Sequence, residues 1–173
     1  MPPKENKDMN KSDHILIFTL DEQRYGLHLS SVERVIPMVE ITPLPEASKV
    51  VKGIVNLQGK IIPVLNLRVL FGLPEREPEL NDRLIVVRTM NRSVAFHADD
   101  VAGIVECPEG AIVSSDSILP KLGSMEGVAA LEDGMVLIYD LDRFLTNEQK
   151  SLLALQLSPA GGPEPPPAEQ ERA

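Results

Sequence analysis

Apolar and polar residues alternate along most of the chain, in short runs that turns and prolines interrupt. This pattern predicts β-strands, because successive side chains of a strand point to opposite faces of its sheet. Hairpins are expected where two runs flank a turn, as at Asp21–Arg24, Gln58-Gly59, Met90–Arg92 and Asp133-Gly134. The predicted strands are His14–Leu20, Tyr25–Leu29, Val32–Ile36, Val50–Asn56, Ile61–Leu65, Leu84–Arg88, Val94–Ala98, Val101–Val105, Gly127–Leu131 and Met135–Tyr139.

Two short segments carry helix signals instead. Leu67–Phe71 reads as one helical turn, with Asn66 as its N-cap and Gly72 just after its end. Capping-box spacing at Thr146, followed by an apolar face, predicts a C-terminal helix over about residues 146–157.

The two halves of the core repeat the same order of elements. Residues 25–36 align with residues 94–105, and residues 53–71 align with residues 127–145. The aligned pairs include His28 with His97, Gly53 with Gly127, Asn66 with Asp140 and Leu67 with Leu141. An internal duplication is therefore predicted.

This duplication favours a mainly β fold of two small five-stranded barrels, similar to SH3 or OB barrels, plus the terminal helix. Closed barrels suit such short strands because closure hides the strand edges. The halves cover about residues 14–72 and 83–145, within one domain over residues 14–158. Whether strands exchange between the barrels stays open at this stage.

The composition narrows the function further. The net charge is −9 and Trp is absent, which argues against a nucleic-acid partner. No apolar run reaches the length of a membrane span, and no secretory signal is visible, so a cytoplasmic location without membrane insertion is expected. Residues 1–13 and the Pro-rich, acidic residues 159–173 are predicted to be disordered.

Candidate chemistry is sparse. Asp99-Asp100 and Asp140-x-Asp142 could suggest acid–base or metal work, but each pair follows a predicted strand, where Asp commonly serves a turn. His28 and His97 are interpreted as partly exposed strand positions. Neither a catalytic residue nor a cofactor or metal site is predicted, and a binding module is the better interpretation.

One segment resembles a known family. Residues 52–68 read K-G-I-V-N-L-Q-G-K-I-I-P-V-L-N-L-R. This resembles the approximate signature K-G-[IV]-x-N-L-R-G-x-[IV]-[IV]-P-[VI]-x-D-L-R of the CheW family of chemotaxis coupling proteins. Similar blocks surround Tyr25-Gly26-Leu27, Val32–Val35, residues 95–101 and residues 131–141, so the resemblance covers about residues 14–157.

The resemblance implies a non-enzymatic adaptor with two barrel subdomains. Its implied partners are the regulatory domain of a CheA-type histidine kinase and the cytoplasmic tip of a methyl-accepting chemoreceptor. Positions matching the kinase-binding region are Val32, Arg34 and Gly53. Positions matching the receptor-binding region are Val35, Asn56, Leu57, Gln58, Gly59 and Val101.

Two positions depart from the signature, since Gln58 replaces its usual Arg and Asn66 its usual Asp. They leave room for an adaptor with a non-motility output, such as pili, biofilm or development. Two other classes also stay open: a small β-barrel that binds oligonucleotides or oligosaccharides, and an enzyme that uses the aspartate pairs.

Overall fold

The computed structural model describes residues 12–45, 47, 49–89, 92–119, 125–140 and 143. The strands are β1 (Ser12–Leu20), β2 (Gln23–His28), β3 (Val32–Pro37), β4 (Val51–Leu57), β5 (Lys60–Leu65), β6 (Arg83–Arg88), β7 (Ser93–Ala98), β8 (Asp100–Pro108), β9 (Ile112–Ser114), β10 (Met125–Leu131) and β11 (Gly134–Tyr139). The helices are a 3₁₀ turn at Leu29–Ser31, α1 (Leu67–Phe71) and α2 (Ser115–Ile118). The predicted terminal helix and both predicted disordered tails lie outside the described residues, apart from residues 12 and 13, which begin β1.

The strands form two sheets that curl into barrel-like halves, which confirms the mainly β prediction. Sheet A has the order β8-β1-β2-β11-β10-β9, and sheet B has the order β3-β6-β7-β5-β4. Sheet A therefore has six strands instead of the five predicted, because the short β9 pairs with β10. At the equivalent edge of sheet B, a single bridge joins Thr42 to Ile54.

The two sequence halves exchange strands. Sheet A combines β1 and β2 of the first half with β8–β11 of the second, and sheet B combines β3–β5 with β6 and β7. The two sequence halves are therefore the repeated units, and each sheet contains strands from both sequence halves.

Strand register reproduces the two sequence offsets. In the parallel pair of sheet A, Gly26 lies opposite Ile138, and in that of sheet B, Ala95 lies opposite Val64. In the duplication, Gly26 aligns with Ala95 and Val64 aligns with Ile138, so the two parallel pairs are equivalent. The register also shifts at equivalent places, between Val51 and Gly53 in β4 and between Met125 and Gly127 in β10.

The described residues form three apolar clusters. One lies within sheet A and another within sheet B. The third, here called the central cluster, joins the two sheets. Its buried residues are Leu16, Phe18, Leu20, Tyr25, Leu27, Leu65, Leu67, Ile85, Val87, Val94, Phe96 and Ala98. Side chains of β1 and β6 alternate between their own barrel and the central cluster, so both faces of these strands are buried.

The predicted cap of α1 is confirmed. Asn66 Oδ1 accepts the N–H groups of Arg68 and Val69, and Gly72 ends the helix in the left-handed region with φ of 74°. The helix carries Phe71, whose ring lies 4.9 Å from that of Tyr25 and 4.8 Å from that of Tyr139. Aromatic packing therefore attaches this turn of helix to sheet A.

No helix among the described residues is long and apolar enough to cross a membrane.

The β4–β5 turn needs residues that accept positive φ. Gln58 has φ of 57° and Gly59 has φ of 88°, with Leu57 paired to Lys60 across the hairpin. This is the two-residue turn whose twist matches that of the flanking strands. A Cβ atom on Gly59 would meet nothing within 4 Å.

Gly53 is required for a different reason. Its φ is 154°, and a Cβ atom there would lie 2.2 Å from the Thr42 carbonyl oxygen and 2.8 Å from Ile41 Cγ2. At the equivalent Gly127, a Cβ atom would lie 2.3 Å from the Val113 carbonyl oxygen. Because neither glycine has a side chain, the neighbouring segment can pack closely against the strand at the point where its register shifts.

We predict that Gly53→Ala destabilises the fold by about 2–4 kcal/mol, from the collision with Thr42 and the positive φ. The matched change Gly59→Ala should cost about 1 kcal/mol, from backbone strain alone. Urea unfolding of both variants measures the difference. Equal losses would show that the close approach of Thr42 contributes nothing.

Candidate functional site

The structure divides the nine residues singled out by the resemblance into three groups. Val32, Arg34 and Val35 lie on β3, the edge strand of sheet B, and Val101 lies on β8, the edge strand of sheet A. Asn56, Leu57, Gln58 and Gly59 form the β4–β5 turn. Gly53 is buried within β4.

The edge-strand valines rest on the central cluster. Val32, Val35 and Val101 are half-buried and pack against it from β3 and β8. Val32 and Val101 occupy equivalent positions of the duplication, with Val32 opposite Val87 and Val101 opposite Phe18. An edge strand with partly exposed valines offers both backbone groups and apolar surface to a partner.

The β4–β5 turn projects into solvent. Asn56 Oδ1 accepts the N–H of Gly59 at 2.8 Å, which fixes the turn from within. Gln58 is exposed, whereas Leu57 is half-buried and packs against the cluster of sheet B. The turn therefore presents a neutral polar side chain on a rigid support.

Gly53 is buried within β4 and offers no surface of its own. It acts on the segment Met38–Thr42, which lies over it through Ile41 and Thr42. This segment forms one wall of an apolar hollow of about 400 Å³. The lining residues are Met38, Val39, Glu40, Ile41, Pro78, Glu79 and Leu80.

Sequence reasoning missed this hollow. Leu80 is 92% exposed and lines the hollow together with Met38, Val39 and Ile41, so the apolar surface is a patch and not a single exposed side chain. The signal that could have found it is a leucine in a polar, Pro-containing linker, outside every predicted strand. The hollow offers an apolar surface with two carboxylates, Glu40 and Glu79, at its rim.

A charged network fixes the start of β8, just before Val101. Arg68 is buried and donates from Nη2 to both carboxylate oxygens of Asp99, at 3.0 and 2.7 Å. The same guanidinium lies 2.8 Å from Asp21 Oδ1 and donates to the Pro74 carbonyl. One arginine thus joins the β1–β2 turn, the β7–β8 turn and the linker that follows α1.

The network makes Asp99 a structural residue. Of the other aspartates weighed for catalysis, Asp140 accepts the N–H of Arg143 at 3.3 Å, and Asp142 lies outside the described residues. Asp99 and Asp140 therefore hold turns at strand ends, and Asp100 is exposed at the start of β8.

A second group of charged side chains lies beside β7, and two of its members, Asp82 and His97, are buried. Arg76 donates to both carboxylate oxygens of Asp82, at 3.0 and 3.2 Å, and Asp82 Oδ2 lies 2.6 Å from His97 Nε2. Burial acts to raise the pKa of Asp82, but Arg76, the Glu79 N–H and His97 together lower it. Burial lowers the pKa of His97, which favours its neutral form. The interpretation of His97 as partly exposed was wrong, because Asp82 supplies a buried partner.

His28, at the equivalent position of the duplication, has a different environment. Its Nε2 lies 2.6 Å from Glu126 Oε1, and its Nδ1 lies 3.7 Å from Asp13 Oδ2. The hydrogen bond with Glu126 raises the pKa of His28 above its ordinary 6.5, against the effect of burial. The same bond lowers the pKa of Glu126 below its ordinary 4.5. This pair joins β2 to β10 across β11.

Comparison with known proteins agrees with this architecture. Residues 14–149 match the family model described as "CheW-like domain". The chain belongs to the CheW-like family.

Relatives of the CheW-like chain are found among curated proteins. It is 32% identical over 139 residues to "Chemotaxis protein CheW" of Thermotoga maritima, covering 80% of this chain and 91% of that protein. It is 26% identical over 140 residues to the protein of the same name from Klebsiella aerogenes, covering 80% of this chain and 84% of that protein.

A solved structure shares the fold. It is the scaffolding protein TtCheW from Thermoanaerobacter tengcongensis, with a TM-score of 0.70 and 31% sequence identity. The match covers 77% of the CheW-like chain and 92% of the solved one.

We predict that the His28–Glu126 pair stabilises the fold in a window of mildly acidic pH. The contribution of His28 is fully present below pH 6.5 and is lost as pH rises through its raised pKa. The contribution of Glu126 is present above pH 4.5 and is lost as pH falls through its lowered pKa. His28→Gln should therefore cost at most about 1 kcal/mol near pH 5.5, because the pair is partly solvated.

The loss caused by His28→Gln should shrink as pH rises through the raised pKa of His28, above its ordinary 6.5. Urea unfolding near pH 5.5 and at a series of higher pH values measures this change, with Glu126→Gln as the partner variant. A cost that does not vary with pH in either variant would contradict the ion pair.

Proposed function

We propose that the chain is a non-enzymatic adaptor that couples the cytoplasmic tips of chemoreceptors to the regulatory domain of a CheA-type histidine kinase. The observation that carries this proposal is membership of the CheW-like family, with a match over residues 14–149. Its similarity to chemotaxis proteins and to a scaffolding protein supports the proposal. Its place of action is the cytoplasm, at arrays of membrane receptors.

An adaptor must hold two partners at once, and the geometry supports two separate surfaces. The apolar hollow lies near the start of β6, because Pro78–Leu80 line it shortly before Arg83, the first residue of that strand. Arg88, the last residue of β6, lines a different hollow together with Lys60, which directly follows the β4–β5 turn. A strand of six residues separates its ends by about 17 Å. Partners on these surfaces need not collide.

We assign the apolar hollow to the kinase domain. Gly53 belongs to the kinase-binding set, and the structure gives it a way to act, since it supports the Ile41 wall of the hollow. Val32 and Arg34, the other members of that set, lie on β3 outside the hollow, and Val32 pairs with Val87 near the opposite end of β6, so the hollow accounts for Gly53 alone. Burial of an exposed leucine in a partner supplies binding energy without ordering new backbone.

The receptor is assigned to the β4–β5 turn and to the valines on the edge strands. Gln58 supplies a neutral hydrogen-bonding group, and Val35 and Val101 supply apolar contact. The adaptor would act on the kinase by binding one of its conformations better than the other, since only differential binding shifts an equilibrium.

We predict that Leu80→Asp weakens binding to the regulatory domain of the cognate CheA-type kinase by about tenfold or more. The fold should be unaffected, because Leu80 is 92% exposed. Met135→Asp is the matched control, since Met135 is 63% exposed on β11 of sheet A. Titration calorimetry of each variant into the kinase domain measures the affinity.

Equal affinities for the two variants would remove the hollow from the kinase interface. An unaltered chain that shows neither heat nor co-elution with the kinase domain would contradict the adaptor function itself.

A second prediction concerns the turn. Gln58→Arg should tighten binding to a fragment of the cognate receptor tip by about fivefold, because a charge-assisted hydrogen bond contributes about 1 kcal/mol more than a neutral one. Gln58→Glu, the matched variant of opposite charge, should weaken it. Fluorescence anisotropy of the labelled fragment distinguishes the two, and affinities in the reverse order would contradict the assignment.

A further inference from the structure

Positive charge gathers at one end of sheet B although the chain as a whole carries −9. Three cations, Lys60, Arg88 and Arg92, line a hollow of about 440 Å³. Its remaining lining residues are Ile61, Pro63 and Ser93. We call this surface the basic hollow.

The strand order explains why these cations meet. Lys60 begins β5 immediately after the β4–β5 turn, and Arg88 ends β6 directly opposite Ser93. β7 runs between β6 and β5 in sheet B, so the three strand ends lie side by side. The basic hollow is therefore continuous with the turn at Gln58-Gly59.

The described residues carry fewer negative charges at the basic hollow than the three cations that line it. Glu33 on β3 reaches two of its residues, accepting from Arg88 Nη1 at 3.2 Å and from Ser93 Oγ at 3.0 Å. The hydrogen bond from Ser93 lowers the pKa of Glu33, with help from Arg88 and from the nearby Lys60. Within the described part of the chain, Lys60 and Arg92 form no ion pair closer than 4.0 Å.

The chemistry of the basic hollow selects a short acidic peptide over a polyanion. Ile61 is 56% exposed and, with Pro63, gives the hollow an apolar part that suits a peptide side chain. Its lining contains no aromatic ring on which a base could stack, counting only residues that the structure describes. The charge of −9 repels a long polyanion, whereas a short segment senses only the local field within a Debye length of about 8–10 Å.

We propose that the basic hollow binds an acidic segment, with two or more carboxylates, of the receptor that contacts the β4–β5 turn. One carboxylate would pair with Lys60 and another with Arg92, while Arg88 exchanges between Glu33 and the ligand. The inference rests on the proposed function and adds to it the chemical character of the receptor segment. Charge pairs at such a rim act mainly on the association rate and on specificity.

The test uses the full chain and two charge reversals, Lys60→Glu and Arg92→Glu, with Lys49→Glu as the matched control. Lys49 is exposed and lies outside the basic hollow. Each chain is titrated with the cognate receptor-tip fragment at low and at physiological salt, and with the kinase regulatory domain. Arg88 is left unchanged because it also holds Glu33.

We expect each reversal in the basic hollow to weaken receptor-fragment binding by about tenfold at low salt, and less at physiological salt. Lys49→Glu should leave it unchanged, and all three variants should bind the kinase domain like the unaltered chain.

Three outcomes would overturn the inference. Receptor binding that survives both reversals would show that the basic hollow is not used. Weakened binding to the kinase domain instead would identify the kinase as the acidic partner. An unaltered chain that binds the kinase domain but not the receptor fragment would remove the receptor part of the proposed function, and this inference with it.

Discussion

The packing of the two sheets against each other through the central cluster supports every other feature of the molecule. Its residues come from both sequence halves, and strands β1 and β6 are buried on both faces because of it. Neither half can bury its apolar surface without the other, so the domain should fold as one cooperative unit. The edge-strand valines proposed for partner contact also lean on this cluster, which holds them in place before a partner arrives.

The two repeated units share their backbone geometry but differ in their charged side chains. Register, register shifts and the close-packed glycines are the same in both units, because they follow from backbone geometry. At the aligned histidines the environments diverge: His97 is buried beside Asp82, whereas His28 meets Glu126 at the surface. The position aligned with Glu126 is Lys52, whose pKa burial lowers. Such differences give a pseudo-symmetric scaffold two unlike surfaces, as an adaptor for two unlike partners requires.

Local features of this fold could be predicted from the sequence, and long-range ones could not. The alternation of residues located the strands, and the Asn66 cap and the Gln58-Gly59 turn depend on near neighbours. Periodicity reports which face of a strand is buried but not which strand lies beside it, so the exchange between halves was left open. The burial of His97 depends on Asp82, 15 residues away, and the apolar hollow depends on two linkers that meet only in the fold. The resemblance identified candidate residues, while the structure shows that Gly53 is buried beneath Ile41 and Thr42, a packing that no local sequence pattern reveals.

In the proposed function, this chain joins a receptor to a kinase and thereby changes the activity of that kinase. The decisive experiment is to measure the rate of kinase autophosphorylation with the receptor fragment present, with and without the adaptor. We expect the rate to change only when all three proteins are mixed, because neither partner alone should reproduce the effect of the joined assembly. A rate that stays the same in the complete mixture, although both partners bind, would contradict it.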